Sequence, residues 1–188
     1  MMDIELIKQY LEKHLKKERY LHSLNTALTA RQLAQYQRVD ADNAYLAGLV
    51  HDCAKNLSDA ELLDAAKRFG IPTDPIILHS PQLLHGAVGA YISREHFDIH
   101  DEEIFKAIAH HTMGRENMSP MEKIIFLADL IEPSRTYADL SKIRETALTD
   151  FDKALLMAYD GIISFVIRKE ELLHPLTIQA RNYLLLNP

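Results

Sequence analysis

The stretch Ala44-Tyr45-Leu46-Ala47-Gly48-Leu49-Val50-His51-Asp52 decides how the rest of the chain is read. Seven uncharged residues in a row mark a short helix that is apolar all round and therefore buried. It ends on a His and an Asp. Two such side chains at the mouth of a buried helix need a partner other than bulk water.

Working outward, apolar residues recur at helical spacing nearly everywhere. Ile4, Ile7, Leu11 and Leu15 form one stripe, and Leu21, Leu24 and Leu28 another. Ser58-Asp59-Ala60-Glu61 is a capping box, and Gly70 followed by Pro72 stops the helix it opens. Ser80-Pro81 starts a helix that carries His85 and runs to about His96. Asp101-Glu102-Glu103 starts another that reaches His110 and His111. Ser119-Pro120-Met121-Glu122 predicts a helix over 120–131 that holds Asp129. A long apolar pattern covers about 150–172, and a last helix follows His174-Pro175. The segments 71–79, 112–119 and 132–139 read as loops. No stretch shows the alternation or the turn dipeptides of strands. The expected fold class is all-α, a helical bundle with a polar site in its core. The chain, 1–188, reads as a single domain, with C-terminal helices from about 150 to 188 packing on it.

Composition bounds the function. A chain of 188 residues can bury a core without disulfides or structural zinc. The single Cys53 excludes a disulfide framework and any thiolate-rich metal site. With 21 basic and 27 acidic residues the net charge is −6, which argues against nucleic-acid binding. Met1 to Tyr10 has no signal-peptide core, and no apolar run approaches the ~18 residues of a membrane span. The expectation is a cytoplasmic protein without membrane contact.

Ten His are the unusual feature. His22 lies on a helix among small neighbours. His85 precedes Gly86, Gly89 and Ala90, which leave room for a close helix or a ligand. His110-His111 closes a helix carrying Ile104, Ala107 and Ile108. Asp129 sits inside Ile124-Ile125-Phe126-Leu127-Ala128-Asp129-Leu130-Ile131, where a lone carboxylate is costly unless something positive meets it. Imidazole and carboxylate without thiolate suit iron, manganese, zinc and related divalent ions. Adjacent His51 and Asp52 point ~100° apart on a helix and can serve two ions, with the Asp between them. Paired ions are the usual apparatus for hydrolysing phosphate esters and anhydrides. Lys55 follows on the same face; a cation beside a metal patch makes sense where an anionic substrate also binds. Taken singly, each of these residues has a bland reading: a core histidine, Asp129 paired with Lys123 or Arg135, a solvated Lys55. His14, His79, His96, His100 and His174 keep such readings. The ordered set is far more specific than its members.

That set, His22…His51-Asp52…Asp129, resembles the HD-domain superfamily of metal-dependent phosphohydrolases. His51-Asp52-Cys53-Ala54-Lys55, Leu83-Leu84-His85-Gly86, His110-His111-Thr112-Met113-Gly114 and Ala128-Asp129-Leu130-Ile131-Glu132-Pro133-Ser134-Arg135 resemble the bacterial YqeK family. Ile167-Arg168 and His174-Pro175…Ala180-Arg181-Asn182 extend the likeness over nearly the whole chain. The resemblance implies a symmetrical bis(5′-nucleosyl)-tetraphosphatase, which splits diadenosine tetraphosphate into two ADP with two divalent ions. Iron is the foremost ion, and manganese, cobalt, zinc or magnesium are alternatives. It implies one ion on His22, His51, Asp52 and Asp129, and a second on Asp52, His85 and His110, with Asp52 bridging. In that picture Asp52, Lys55 and His111 are catalytic. Lys55 and His111 also meet phosphate, Arg135 and Arg168 hold the distal phosphates, and Tyr137 touches a base or ribose. The partners are then a dinucleoside polyphosphate and its nucleoside diphosphate product, and a homodimer is allowed. Three other readings stay open on the residues alone: a different HD phosphohydrolase (a nucleotidase or cyclic-nucleotide phosphodiesterase), a nucleotide-binding regulatory module, and di-iron oxidation chemistry.

Overall fold

The computed structural model describes residues 3–136 and 140–187. Among them are eleven α-helices and one short 3-10 helix, and no strand. The centre is α3 (Ala41–Val50), whose residues Ala44 to Val50 are all buried. Around it stand α2 (Lys17–Gln37), α7 (Glu102–His110) and α8 (Pro120–Ile131). The N-terminal α1 (Ile4–His14) covers α2 and α3 through Ile7 and Leu11. The α2–α3 crossing is close because of glycine: a Cβ on Gly48 would lie 2.9 Å from the Ala27 Cα.

This closeness explains a departure from the sequence reading. Where α2 crosses α3 its buried face is His22, Ser23, Thr26, Ala27 and Ala30, with Leu33 and Ala34 beyond, while Leu21 and Leu28 are exposed and Leu24 is only partly buried. Small residues take the inner face at the crossing because the backbones nearly touch, and Leu21 and Leu28 are turned outward.

A second, smaller apolar cluster, with Ala54, Leu62, Ile77, Leu84 and Val88 in it, lies beside the first. It is built by α4 (Asp59–Phe69), α5 (Pro75–His79), the 3-10 helix (Pro81–Leu84) and α6 (His85–Phe97). The Ser58 capping box and the left-handed Gly70 bound α4 as the sequence requires. Residues 71–79, read as a loop, contain α5, capped by Asp74 with Pro75 in its first turn. Ser80-Pro81 opens the tight 3-10 turn first, and the α-helix begins only at His85.

On the other side α10 (Phe151–Arg168) packs against α8, against α9 (Leu140–Ala147) and against α11 (Pro175–Leu186). His174 caps α11 and meets the Asp74 carboxylate at 2.8 Å, tying the last helix to α5. No helix among the described residues is long and apolar enough to cross a membrane.

Candidate metal centre

Three helix C-termini meet above the core. His51 is the first residue after α3, His111 the first after α7, and Asp129 sits in the last turn of α8. The negative ends of their dipoles favour a cation there. His85 opens α6 from the other side, and His22 enters from the middle of α2.

The imidazoles are aimed. His51 Nδ1 is 2.7 Å from the Gly48 carbonyl oxygen, His111 Nδ1 is 2.8 Å from that of Ile108, and His85 Nδ1 meets that of Gln82. A carbonyl only accepts, so each Nδ1 carries a proton and donates, and each ring turns its Nε2 inward. His22 Nδ1 lies 3.0 Å from the buried Glu132 carboxylate, and its Nε2 accepts from Arg135 Nη2 at 3.4 Å.

The inward atoms crowd together. His22 and His51 Nε2 are 3.3 Å apart, and Asp129 Oδ1 is 2.9 Å from the first and 3.8 Å from the second. His85 and His111 Nε2 are 3.1 Å apart, with Asp52 Oδ1 at 3.2 Å and 3.7 Å. The other Asp52 oxygen stands 3.4 Å from His51 Nε2 and 3.7 Å from His22 Nε2. Lone pairs facing one another at such distances repel unless a cation lies between them. Donors ~2.1 Å from one ion, at octahedral or tetrahedral angles, are roughly 3.0–3.4 Å apart. Five of the eight separations, 2.9–3.4 Å, lie within about 0.1 Å of that spacing and three, at 3.7–3.8 Å, are a few tenths longer, so the donor set fits divalent ions after small side-chain shifts. Among the described residues His22, His51 and Asp129 form one candidate triad, and His51, Asp52 and His111 an overlapping one.

The electrostatics agree with this donor set. Burial disfavours charge on Asp52, but His51, His111 and His85 outweigh it and hold the carboxyl well below its ordinary value. Asp129 behaves likewise, with His22, His51 and Arg135 outweighing its burial. Burial pushes His111 down to about 4, so its ring is neutral near pH 7. Burial also works against charge on His51, yet Asp52 and Asp129 raise it overall.

The structure brings His22, His51, Asp52, His85 and Asp129 together as the sequence reading expects. It does not bring His110. That ring points away, its Nδ1 2.6 Å from Glu122, whose carboxylate also binds Arg115 and the Ser119 N–H. His111 takes the inner place. The register of α7 decides between them: Ile104, Ala107, Ile108 and His111 follow the i, i+3, i+4, i+7 spacing of one buried face, and His110 falls off it. Buried, neutral and with its Nδ1–H engaged, His111 faces the cluster and not an outside phosphate.

A cavity of about 180 Å³ opens over the cluster, lined by Asp52, His85, Thr112 and Asp129 and by three cations, Arg19, Lys55 and Arg135. Arg19 Nη1 donates to Asp52 Oδ2 at 2.6 Å, and Arg135 Nη2 to Asp129 Oδ1 at 2.6 Å. Lys55 Nζ is 3.3 Å from His85 Nδ1, and its pKa is lowered, first by burial. Arg19 was not anticipated, although Arg19, His22, Ser23 and Thr26 share one helical face. Arg168 does not reach this cavity. It is exposed at the end of α10 and lines a separate groove with Leu140 and Phe165. Tyr137 lies outside the described residues.

The HD-domain family model matches residues 19–134, from Arg19 through Ser134, a span that holds all six inward-facing residues. The chain belongs to the HD-domain family. This HD-domain chain is 38% identical over 178 residues to the symmetrical bis(5′-nucleosyl)-tetraphosphatase of Halalkalibacterium halodurans, covering 95% of each. It is 34% identical to the Bacillus subtilis protein of the same name, covering 95% of this chain and 93% of that one. These relatives put it in the YqeK-type branch of the family. A solved structure from Clostridium acetobutylicum, described as a predicted HD-superfamily hydrolase involved in NAD metabolism, superposes on this HD-domain chain with a TM-score of 0.97. The two are 41% identical, with 100% of both chains covered.

Proposed function

We propose that this HD-domain protein hydrolyses dinucleoside tetraphosphates symmetrically, diadenosine tetraphosphate giving two ADP, with two divalent ions. One arrangement carries the reading: six donor residues converge beneath a rim of three cations. The names of the YqeK-type relatives point to the same substrate.

His22, His51 and Asp129 would hold one ion and His85 and His111 the other, with one Asp52 oxygen toward each. His111 replaces His110 in this set. Nitrogen and oxygen donors without thiolate suit iron, and also manganese, cobalt, zinc or magnesium. Bound there, such a pair supplies an activated water and polarises the phosphoryl oxygens.

The chain's own groups do the rest. Arg19 and Arg135 offer guanidinium forks suited to phosphate oxygens, and Lys55 adds a compact charge on the same cavity wall. Placed around one small cavity, they hold a polyphosphate by its middle and fix which phosphorus lies over the donor cluster. Burial of His85 and His111 keeps bulk water from the cluster floor. The whole chain, 1–188, is read as one domain, with α10 and α11 as its outer layer.

The decisive measurement is product analysis after incubating diadenosine tetraphosphate with metal-loaded protein. ADP alone is expected. ATP plus AMP would mean asymmetric cleavage and overturn the reading. Tight ADP binding without turnover would make the protein a regulatory module, and faster turnover of mononucleotides or cyclic nucleotides another phosphohydrolase.

A further inference from the structure

An imidazole that directs Nε2 inward needs an acceptor for its Nδ1–H. His51, His85 and His111 each find one in their own chain, the carbonyl oxygen three residues back, at Gly48, Gln82 and Ile108. His51 and His111 stand at helix C-termini and His85 directly follows the 3-10 turn Pro81–Leu84, so each has a nearby carbonyl at the end of an element. His22 stands inside α2, more than a turn from its start at Lys17, where the helix's own ladder occupies the carbonyls. It meets a carboxylate instead, Glu132 Oε1, at 3.0 Å.

Glu132 is fully buried and held from several sides. The Ser134 N–H donates to Oε2 at 2.7 Å, and the Ser134 hydroxyl donates to Oε1 at 2.5 Å. The Arg144 guanidinium fixes the Glu132 carbonyl at 2.8 Å, and Arg135 Nε lies 3.8 Å from Oε1. A carboxylate draws the Nδ1 proton more strongly than a neutral carbonyl does, and so makes the opposite nitrogen a better donor to a metal. Among the four inward imidazoles only His22 meets a carboxylate through its Nδ1.

We propose that Glu132 is a positioning residue for His22, and that it makes the metal position of His22, His51 and Asp129 the tighter of the two. That position then fills before the one at Asp52, His85 and His111. The inference rests on the two-ion reading above.

The test is calorimetric titration of metal-free protein with Zn²⁺ or Mn²⁺, wild type against Glu132→Gln. Gln keeps an acceptor oxygen and removes the charge. Wild type is expected to bind in two steps. In the variant the first step weakens about 10–100-fold, the range typical of lost outer partners, and the second stays within twofold. In zinc-loaded protein the His22 Nδ1–H proton resonance should also move upfield in Glu132→Gln while those of the other three imidazoles hold. Equal weakening of both steps, or no weakening, overturns the inference and leaves the two-ion reading standing. A wild-type protein that takes up one ion or none removes both. Should Glu132→Gln fail to fold, Ser134→Ala loosens the carboxylate and keeps its charge. A loss confined to the first step is then expected, and a loss in the second step counts against the inference.

Discussion

His110 and His111 are adjacent, alike in chemistry and opposite in role. His111 is 3% exposed and faces Asp52, whereas the His110 side chain is 34% exposed and bonds Glu122. His111→Ala should remove one donor of the second ion and lower kcat on the order of 100-fold or more, a few kcal/mol of lost charge stabilisation. His110→Ala should leave the rate within a few-fold. It should lower thermal stability instead, because buried Glu122 loses one of its partners, a loss of about 1–2 kcal/mol. Rate and melting temperature measured on both variants check the pair, and the reverse pattern would return His110 to the cluster. The residue types at the site were legible in the sequence because a His-Asp pair and a mid-helix Asp have no bland place in an apolar helix. Which of two neighbouring His points inward depends on the phase of α7, and the apolar residues Ile104, Ala107 and Ile108 carry that phase. Arg19 was missed for a different reason. It stands in the charged run Lys16-Lys17-Glu18-Arg19 and looks solvated until α2 is rotated to bury His22.

At the scale of elements, the site depends on how closely α6 meets the end of α7. A Cβ on Gly86 would lie 3.0 Å from the Ile108 carbonyl oxygen and 3.1 Å from His111 Nδ1. Those two atoms form the hydrogen bond that aims the His111 ring. Gly86→Ala is therefore expected to cost about 1–3 kcal/mol from overpacking and to reduce activity more than its lost stability explains. Gly89, one turn on, is the control. Its added Cβ would make ordinary contacts at 3.4 Å, so Gly89→Ala should keep activity and gain up to about 1 kcal/mol of helix propensity. Thermal unfolding and kcat of the two variants decide; equal behaviour would mean that α6 and α7 can separate without harm. Helices with strong end signals, such as α4 and α8, were readable to the residue. Two were not. α5 has five residues, too few to show a period, although Asp74-Pro75 is a start signal. α9 buries only Leu140, Ile143 and Ala147 in a polar octet, so its stripe is narrow and its helix depends on α8 and α10 beside it.

For the whole molecule the question is whether the ions hold the fold or only occupy it. Both apolar clusters are complete without them, one around α3 and one under α4 to α6. The acidic donors are also not left bare, since Arg19 bonds Asp52 and Arg135 bonds Asp129. Metal-free protein should therefore stay folded, with lone-pair crowding among the imidazoles as its main penalty. An ion present at 100 times its Kd adds about 2.7 kcal/mol to the native state. For a chain of this size each kcal/mol moves the melting temperature by about 2–4 °C. Chelation should thus lower Tm by roughly 5–11 °C per tightly bound ion, and leave the far-ultraviolet helix signal at 25 °C unchanged. Returning the metal should restore the difference. Loss of the helix signal on chelation would make the centre a structural one, because the two apolar clusters would then be insufficient. An unchanged Tm, with metal removal verified by elemental analysis, would mean that the native state binds no ion in preference to the unfolded chain, which the inward-facing Nε2 atoms forbid if they are ligands.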